Sequence, residues 1–411
     1  MRYTLRVSIP GDWRDAWMYK EKLFLWSRSG RIHFCDLASI LETVRKTSGP
    51  STAALVEYLI LRNDWKASGS FRRLMELPSV RSAFLQDFQE GGGELAVVLK
   101  GLPTKVVPGS EPTGYMYDCQ LYANRLFEAT SEGFFISYLN PKYLDSYLSV
   151  DQVLDFETVA VKAKYSCVNV SAEDRGLWFS PLDFTGDHED PFEAQIEQVA
   201  DSSMSCSFAS RNLLNYTDAP VPGFLKAHED RGFPHARAQY EDWKVTGYEQ
   251  QIDISSLTME AVSASKRVSY DDLLAEHIKK PVAQPTVIGN SNYRMLVEQA
   301  DKLHVVNISA YPADSVAARR DSAFKVSSIT EFGASQILST HAIASGFVVE
   351  LYDKVIAITH NGAFDIYRNP AARVRSFGES RRHQDVTAVI GEDDVSLVGF
   401  LDLDAGEDPQ F

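Results

Sequence analysis

The sequence is short of positive charge, paired cysteines, long apolar runs and catalytic signatures, and each shortage narrows what the chain can be. Its 41 Lys and Arg face 56 Asp and Glu, for a net charge of −15. A surface this acidic repels a polyanion, so general nucleic-acid binding is not expected. No stretch approaches the roughly 18 consecutive apolar residues that cross a membrane as a helix. The four cysteines, Cys35, Cys119, Cys167 and Cys206, are scattered, with no CxxC pair. Each sits in an apolar run, which reads as a small buried hydrophobe in a reducing compartment and not as half of a disulfide or a zinc site. A cytoplasmic location is therefore expected. Residues Met1–Pro10 alternate polar and apolar positions where a secretory signal would be continuously apolar, so they read as a strand of the mature protein. There is no phosphate-binding P-loop, no HExxH, no GxSxG elbow and no dinucleotide glycine fingerprint.

What the chain does have is length and aromatics: 411 residues, 44% hydrophobic, with 22 Phe, 18 Tyr and 6 Trp. That suffices for a large core without disulfide or metal staples. A length prior alone suggests two or three domains, but internal similarity points elsewhere. Three stretches align without a gap: 16–35, 120–138 and 350–367. Each carries a polar residue, a basic one (Lys22, Arg125 or Lys354), two apolar residues, then Gly30, Gly133 or Gly362 and a further apolar-rich run. Two strand-like segments around a glycine turn make a β-hairpin, and a second polar turn before the first strand extends it to a meander. Weaker copies centre on Gly176, on Asn212 and on Ala310 at the glycine position, with a degenerate unit expected near 250–268. A period of about 40–50 residues, each a short antiparallel meander, predicts an all-β chain folded as a β-propeller. Counting these units gives about seven four-stranded blades; six also fits, because the degenerate unit rests mostly on available length. The whole of 1–411 then reads as one propeller domain.

The stretch Ser29-Gly30-Arg31-Ile32-His33-Phe34-Cys35-Asp36-Leu37 resembles the end of a WD40 repeat, with Cys35-Asp36 where that family carries Trp-Asp. Tyr138 and Tyr367 occupy the Cys35 position in the other clear copies, followed by Leu139 and Arg368 in place of the aspartate. The resemblance covers about three blades at motif level and implies a degenerate WD40-like propeller.

Closure of such a ring removes unpaired sheet edges. The runs Tyr3–Ile9, Val386–Ile390 and Val395–Leu401 suit it, so the two ends of the chain are expected to pair in one blade. Residues 38–90 are expected to be a mostly helical insertion: Leu37, Ile40, Leu41 and Val44 recur at three and four, as do Phe71, Leu74 and Met75, then Val80, Phe84 and Phe88. Pro78 suits a helix first turn, and Gly91-Gly92-Gly93 a stop. For residues 53–62 a buried outer strand is the alternative reading. A short helix is expected over 270–278, and 217–243 reads as a long loop insertion.

Candidate chemistry is sparse. The tripeptides His188-Glu189-Asp190 and His228-Glu229-Asp230 lie about one blade apart. If they share a face, His188, Asp190, His228 and Asp230 form a candidate divalent-metal site; solvated acidic loop tips are the simpler reading. No other cofactor is expected. Arg368, Arg373, Arg375, Arg381, Arg382 and His383 form a basic cluster that reads either as an acidic-partner patch or as an internally compensated loop. Trp13, Trp65, Phe233 and Trp243, together with Arg381 and Arg382, are candidate interaction residues. The function expected is a non-catalytic scaffold or adaptor that binds a protein partner. The alternative is a propeller hydrolase or lyase with an axial polar or metal site assembled from several blades.

Overall fold

A computed structural model describes residues 2–109, 114–140, 142–164, 167–182, 196–209, 212–217, 223–225, 259–260, 267–268, 286–290, 294–299, 302–308, 324–329, 336–359, 362–378 and 380–402. The fold is an all-β β-propeller with six to seven blades. Among the described residues six sheets have four or five strands and one has three, with a further two-stranded pair formed by Met259–Glu260 and Arg267–Val268. The chain divides into two compact units, Met1–Val107 with Ser335–Phe411, and Pro108–Ala334.

In the first unit, both ends of the chain build one sheet. Its order is Arg373–Ser376, Thr387–Ile390, Asp394–Asp402, Arg2–Pro10 and Glu94–Val98. Arg2–Pro10 pairs antiparallel with Asp394–Asp402 along its whole length, so the ends meet as the alternation predicts. This closing sheet is additional to the one around Gly30, which comprises Trp13–Tyr19, Lys22–Ser27, Ile32–Asp36 and Lys105–Val106. A third sheet runs through Ile337–Ile343, Gly346–Leu351, Val355–Thr359 and Gly362–Tyr367. The first strands of the three sheets lie side by side.

The second unit repeats this arrangement with sheets that begin at Met116–Tyr122, Ala160–Lys164, Ser205–Ala209 and Thr286–Asn290. Adjacent first strands are stapled through side chains. Gln120 bonds both polar groups of Ala163 at 2.8 Å, and the Asp118 carboxylate accepts Val161 N–H at 3.0 Å. Asp118 sits at a slip in strand register, as Asp15 does in the first unit, and each also accepts the N–H of the residue after it.

The three gapless sequence copies are equivalent as hairpins but not as blades. Gly30 and Gly133 turn the second strand of their sheets into the third, whereas Gly362 opens the fourth. The preceding turns differ accordingly: Lys20-Glu21 and Ala123-Asn124 both have two successive positive φ values, and Tyr352-Asp353 has none. A pattern of apolar alternation and one glycine marks any antiparallel hairpin, so it leaves the phase within the blade undetermined. At Gly133 and Gly176 the glycine is obligatory, because a Cβ would lie 2.0 Å from the carbonyl oxygens of Leu154 and Ala200.

Residues 37–90 form the helical elaboration. Helix α1 (Leu37–Val56) is broken at Gly49, where φ is 90° and Pro50 follows, and continues into a widened π-type turn over Glu57–Leu61. The segment 53–62 is therefore helical and not a strand; Leu55, Val56, Leu59 and Ile60 bury a helical stripe in the core of the closing sheet. Gly399, in strand Asp394–Asp402, permits this packing: a Cβ there would come within 2.2 Å of Leu59 O. Helix α2 (Gly69–Glu76) is capped by Ser68, whose hydroxyl accepts Phe71 N–H at 3.0 Å. Helix α3 (Pro78–Glu90) starts on Pro78 and ends before Gly91. The following strand, Glu94–Val98, adds in parallel to Arg2–Pro10. Most of 217–243, the expected helix over 270–278 and most of the degenerate unit lie outside the described residues.

Candidate functional site

Two places in the first unit concentrate functional-type side chains: the meeting of the three first strands, and the outer surface of the helical elaboration.

At the first, Asp15 from Trp13–Tyr19 is fully buried between two arginines of Arg373–Ser376. Arg375 grips both its oxygens, Nε to Oδ1 at 2.9 Å and Nη2 to Oδ2 at 2.6 Å, and Arg373 Nη1 reaches Oδ2 at 2.6 Å. Burial alone would raise the Asp15 pKa, but Arg375 and Arg373 together outweigh it and hold the carboxyl below its ordinary value. Arg375 also lies 5.8 Å over the Trp17 ring, which meets Phe377 edge-on. Beside this network Ser339 Oγ donates to Glu350 Oε2 at 2.5 Å and lies 2.9 Å from His341 Nε2. Burial pushes the Glu350 carboxyl up, against the opposing effects of Ser339 and Arg373.

Serine, histidine and glutamate here do not form a nucleophile relay. In a relay the histidine stands between serine and acid and takes the serine proton. Here the serine is the central member, bonded to Glu350 on one side and 2.9 Å from His341 Nε2 on the other. Asp15, in turn, is saturated by guanidinium groups. Asp15 with Arg373 and Arg375 ties two blades together, and Ser339, His341 and Glu350 bond one another within the third.

The second place faces outward. Tyr58 packs against Trp65 (5.4 Å), Phe71 (6.3 Å) and Phe84 (6.2 Å), and Phe71 against Phe84 (5.8 Å), forming an aromatic cap over α2 and α3. Phe71, Met75, Leu85 and Phe88 turn inward. Left outside are Trp65 at 39% exposure, Leu74 at 49%, Leu77 at 52% and Val80 at 37%. Four large apolar side chains exposed within sixteen residues are more than scattered surface hydrophobes. Arg62 stacks 5.9 Å over Trp65, and Arg73 and Arg81 flank the leucines in sequence.

The cap is anchored by a buried polar junction. Lys66 Nζ donates to Phe400 O at 2.8 Å and pairs with Asp385 at 3.2 Å, with side-chain exposures of 12% and 8%. Asp385 Oδ1 also accepts the N–H and hydroxyl of Ser345 at 2.8 and 2.7 Å. Asn63 Oδ1 accepts Asp385 N–H at 2.9 Å, and Asn63 N–H donates to Arg382 O at 2.8 Å. His383 Nε2 donates to Leu61 O at 3.1 Å. Burial lowers the His383 pKa to about 4, with Arg382 pushing the same way and the Leu61 bond opposing, so the ring is neutral. Burial would raise the Asp385 pKa, but Lys66 and Ser345 outweigh it and lower it.

The sequence candidates distribute as follows. Trp65 lies on the exposed cap. Trp13 is half-buried, edge-on to the His33 ring at 5.4 Å, and packs on the core. Arg381 and Arg382 are exposed, and Arg382 pairs with Glu21. The basic cluster is largely dispersed onto carboxylates: Arg368 to Asp365 and Glu94, Arg373 and Arg375 to Asp15, with His383 buried. His188, Asp190, His228, Asp230, Phe233 and Trp243 lie outside the described residues. Among the described residues no group of three or more His, Cys, Asp and Glu is placed to hold a metal ion, and no helix is long and apolar enough to cross a membrane. Sequence reasoning missed Leu74, Leu77 and Val80 as surface residues, because at helical spacing an exposed leucine and a core leucine look alike.

No protein-family model matches the chain, and no curated protein matches it by sequence. Solved structures do resemble it. The Cps50 (Swd1) β-propeller domain of Myceliophteria thermophila is 9% identical, with a TM-score of 0.45 over 97% of this chain and 99% of that one. The computationally designed Ika8 protein is 9% identical, with a TM-score of 0.38 over 96% and 99%. A chain of the S. cerevisiae assembly of Dbp5 with Nup159 and Gle1 is 10% identical, with a TM-score of 0.43 over 96% and 90%.

Proposed function

We propose that this chain is a non-catalytic, cytoplasmic protein-interaction scaffold: a single, degenerate WD40-like propeller that offers its helical elaboration to a protein partner. The observation that carries the reading is the outward exposure of Trp65, Leu74, Leu77 and Val80 on an elaboration whose base is rigidly keyed into the blades by Asn63, Lys66 and Asp385. A flexible appendage would lose its exposed anchors to disorder entropy on binding; a keyed one presents them ready-made. The double arginine pairing of Asp15 is consistent with the same reading, since it holds that carboxylate in a structural role. This function needs no cofactor.

The test compares the wild-type chain with a Leu74→Ser/Leu77→Ser variant in native extract by size-resolved separation. The wild type is expected in a stoichiometric complex and the variant is expected to run alone. A wild-type chain found only at its own size overturns the scaffold reading.

A further inference from the structure

We infer that the chain forms a two-fold dimer through the outer edge of its closing sheet, where Glu94–Val98 of one copy pairs antiparallel with Glu94–Val98 of a second. The inference goes beyond the scaffold reading and uses none of the helical surface.

Three observations combine. First, the edge is open. Glu94–Val98 is the last strand of its sheet, and its pairing with Arg2–Pro10 runs through Thr4↔Glu94, Arg6↔Ala96 and Ser8↔Val98 without a slip. In that parallel ladder Thr4 N–H donates to Gly93 O and Leu99 N–H to Ser8 O. Leu95 and Val97 therefore spend their backbone groups on the sheet, while Ala96 and Val98 turn theirs outward. Among the described residues nothing bonds them there. Second, nothing on the edge deters pairing. Leu95-Ala96-Val97-Val98-Leu99 holds no charge, proline or glycine; Ala96 is exposed, and Val98 is 50% exposed. Other outer strands are blunted: Tyr147–Leu154 carries two register slips, Gly362–Tyr367 one, and Lys105–Val106 is two residues long. Third, the edge is complementary to itself. A two-fold axis at Val97 sets Ala96 opposite Val98 in pairs that exchange both backbone bonds, and sets Glu94 opposite Lys100 at either end. Lys100 is exposed, and Glu94 has only a 3.9 Å contact with Arg368, itself 73% exposed. Facing opposite charges favour this register, whereas a parallel pairing would set Glu94 beside Glu94.

The purified full-length chain is followed by sedimentation velocity over a concentration series, because a ladder this short makes a weak association. A monomer–dimer equilibrium is expected. Ala96→Pro removes an outward N–H and no bond to Arg2–Pro10, so it should abolish the dimer while the far-UV circular dichroism stays that of the wild type. Glu94→Lys or Lys100→Glu alone should weaken the dimer by about tenfold. Glu94→Lys/Lys100→Glu should restore it, which loss of the Arg368 contact cannot do. These charge changes lie at the surface, so they read the interface even where proline disturbs the strand. A chain monomeric at every concentration overturns the inference, as does a dimer that Ala96→Pro leaves intact or a double exchange that fails to restore association. A dimer dissolved by Leu74→Ser/Leu77→Ser overturns it too, by assigning association to the helical surface. Failure at the edge leaves the scaffold reading standing: that reading is decided by a complex with a different protein in extract, where this dimer counts as the chain running alone.

Discussion

Removing the Asp385 carboxylate should loosen the helical elaboration from the propeller while leaving the blades in place. Asp385→Ala strips a buried anion from Lys66, 3.2 Å away, and takes the acceptor from both donors of Ser345. Breaking a buried ion pair by removing one partner costs about 3–5 kcal/mol. The low end applies, because Lys66 keeps the Phe400 carbonyl at 2.8 Å and the Phe400 ring at 4.6 Å, and Ser345 is half-exposed so that water can replace its acceptor. A loss of about 3 kcal/mol raises the local opening constant roughly a hundredfold. Hydrogen exchange of the amides in 57–67 reads this directly, and Asn63 N–H, which bonds Arg382 O, is the best single reporter. Asp385→Asn should fall between wild type and alanine, since it keeps an acceptor but loses the charge. Lys66→Met/Asp385→Ala should open less than the sum of the two single changes, because no unpaired charge is left buried. Exchange in 57–67 within a few-fold of wild type for Asp385→Ala would refute the claim that this pair anchors the cap.

Three further outcomes follow from the same structure. His383 is neutral with a pKa near 4, against about 6.5 unfolded; the unfolded chain therefore binds more protons between those values, and stability falls as pH drops from about 6.5 to 4, by up to about 3 kcal/mol. Denaturant midpoints across that window measure it, and His383→Gln should flatten the slope there. The lowered carboxyls of Asp15 and Asp385 add a separate loss as pH falls further, below their ordinary 3.8. Gly176→Ala should reduce the yield of folded protein or cost several kcal/mol, because its Cβ meets Ala200 O at 2.0 Å at a φ of +92°, whereas Gly92→Asn, with nothing within 4 Å, should cost little. All four cysteines are buried, and burial pushes Cys35 and Cys167 up to about 12 and Cys206 to about 11, so a thiol reagent at pH 8 should label none until the chain unfolds.

Alternation and glycine turns determined that this chain is built of short antiparallel strands in propeller blades, and that Tyr3–Ile9 pairs with the carboxyl-terminal run; period-two burial and the need to remove sheet edges are local properties that a sequence displays. The 3.6-residue period and Pro78 likewise placed the helices of 37–90. Tertiary structure decided the rest. Which strand of a blade a hairpin becomes depends on its neighbours, so Gly362 fell one strand away from Gly30 and Gly133. Which face of an apolar helix is covered depends on what packs there: Phe71 and Phe88 went inward while Leu74 and Leu77 stayed in solvent. Arg368, Arg373 and Arg375 of the apparent basic cluster were drawn to Asp365, Glu94 and Asp15, residues up to 360 positions away in the chain. Charge pairing over such separations follows from how the strands are brought together, and only the fold brings them together.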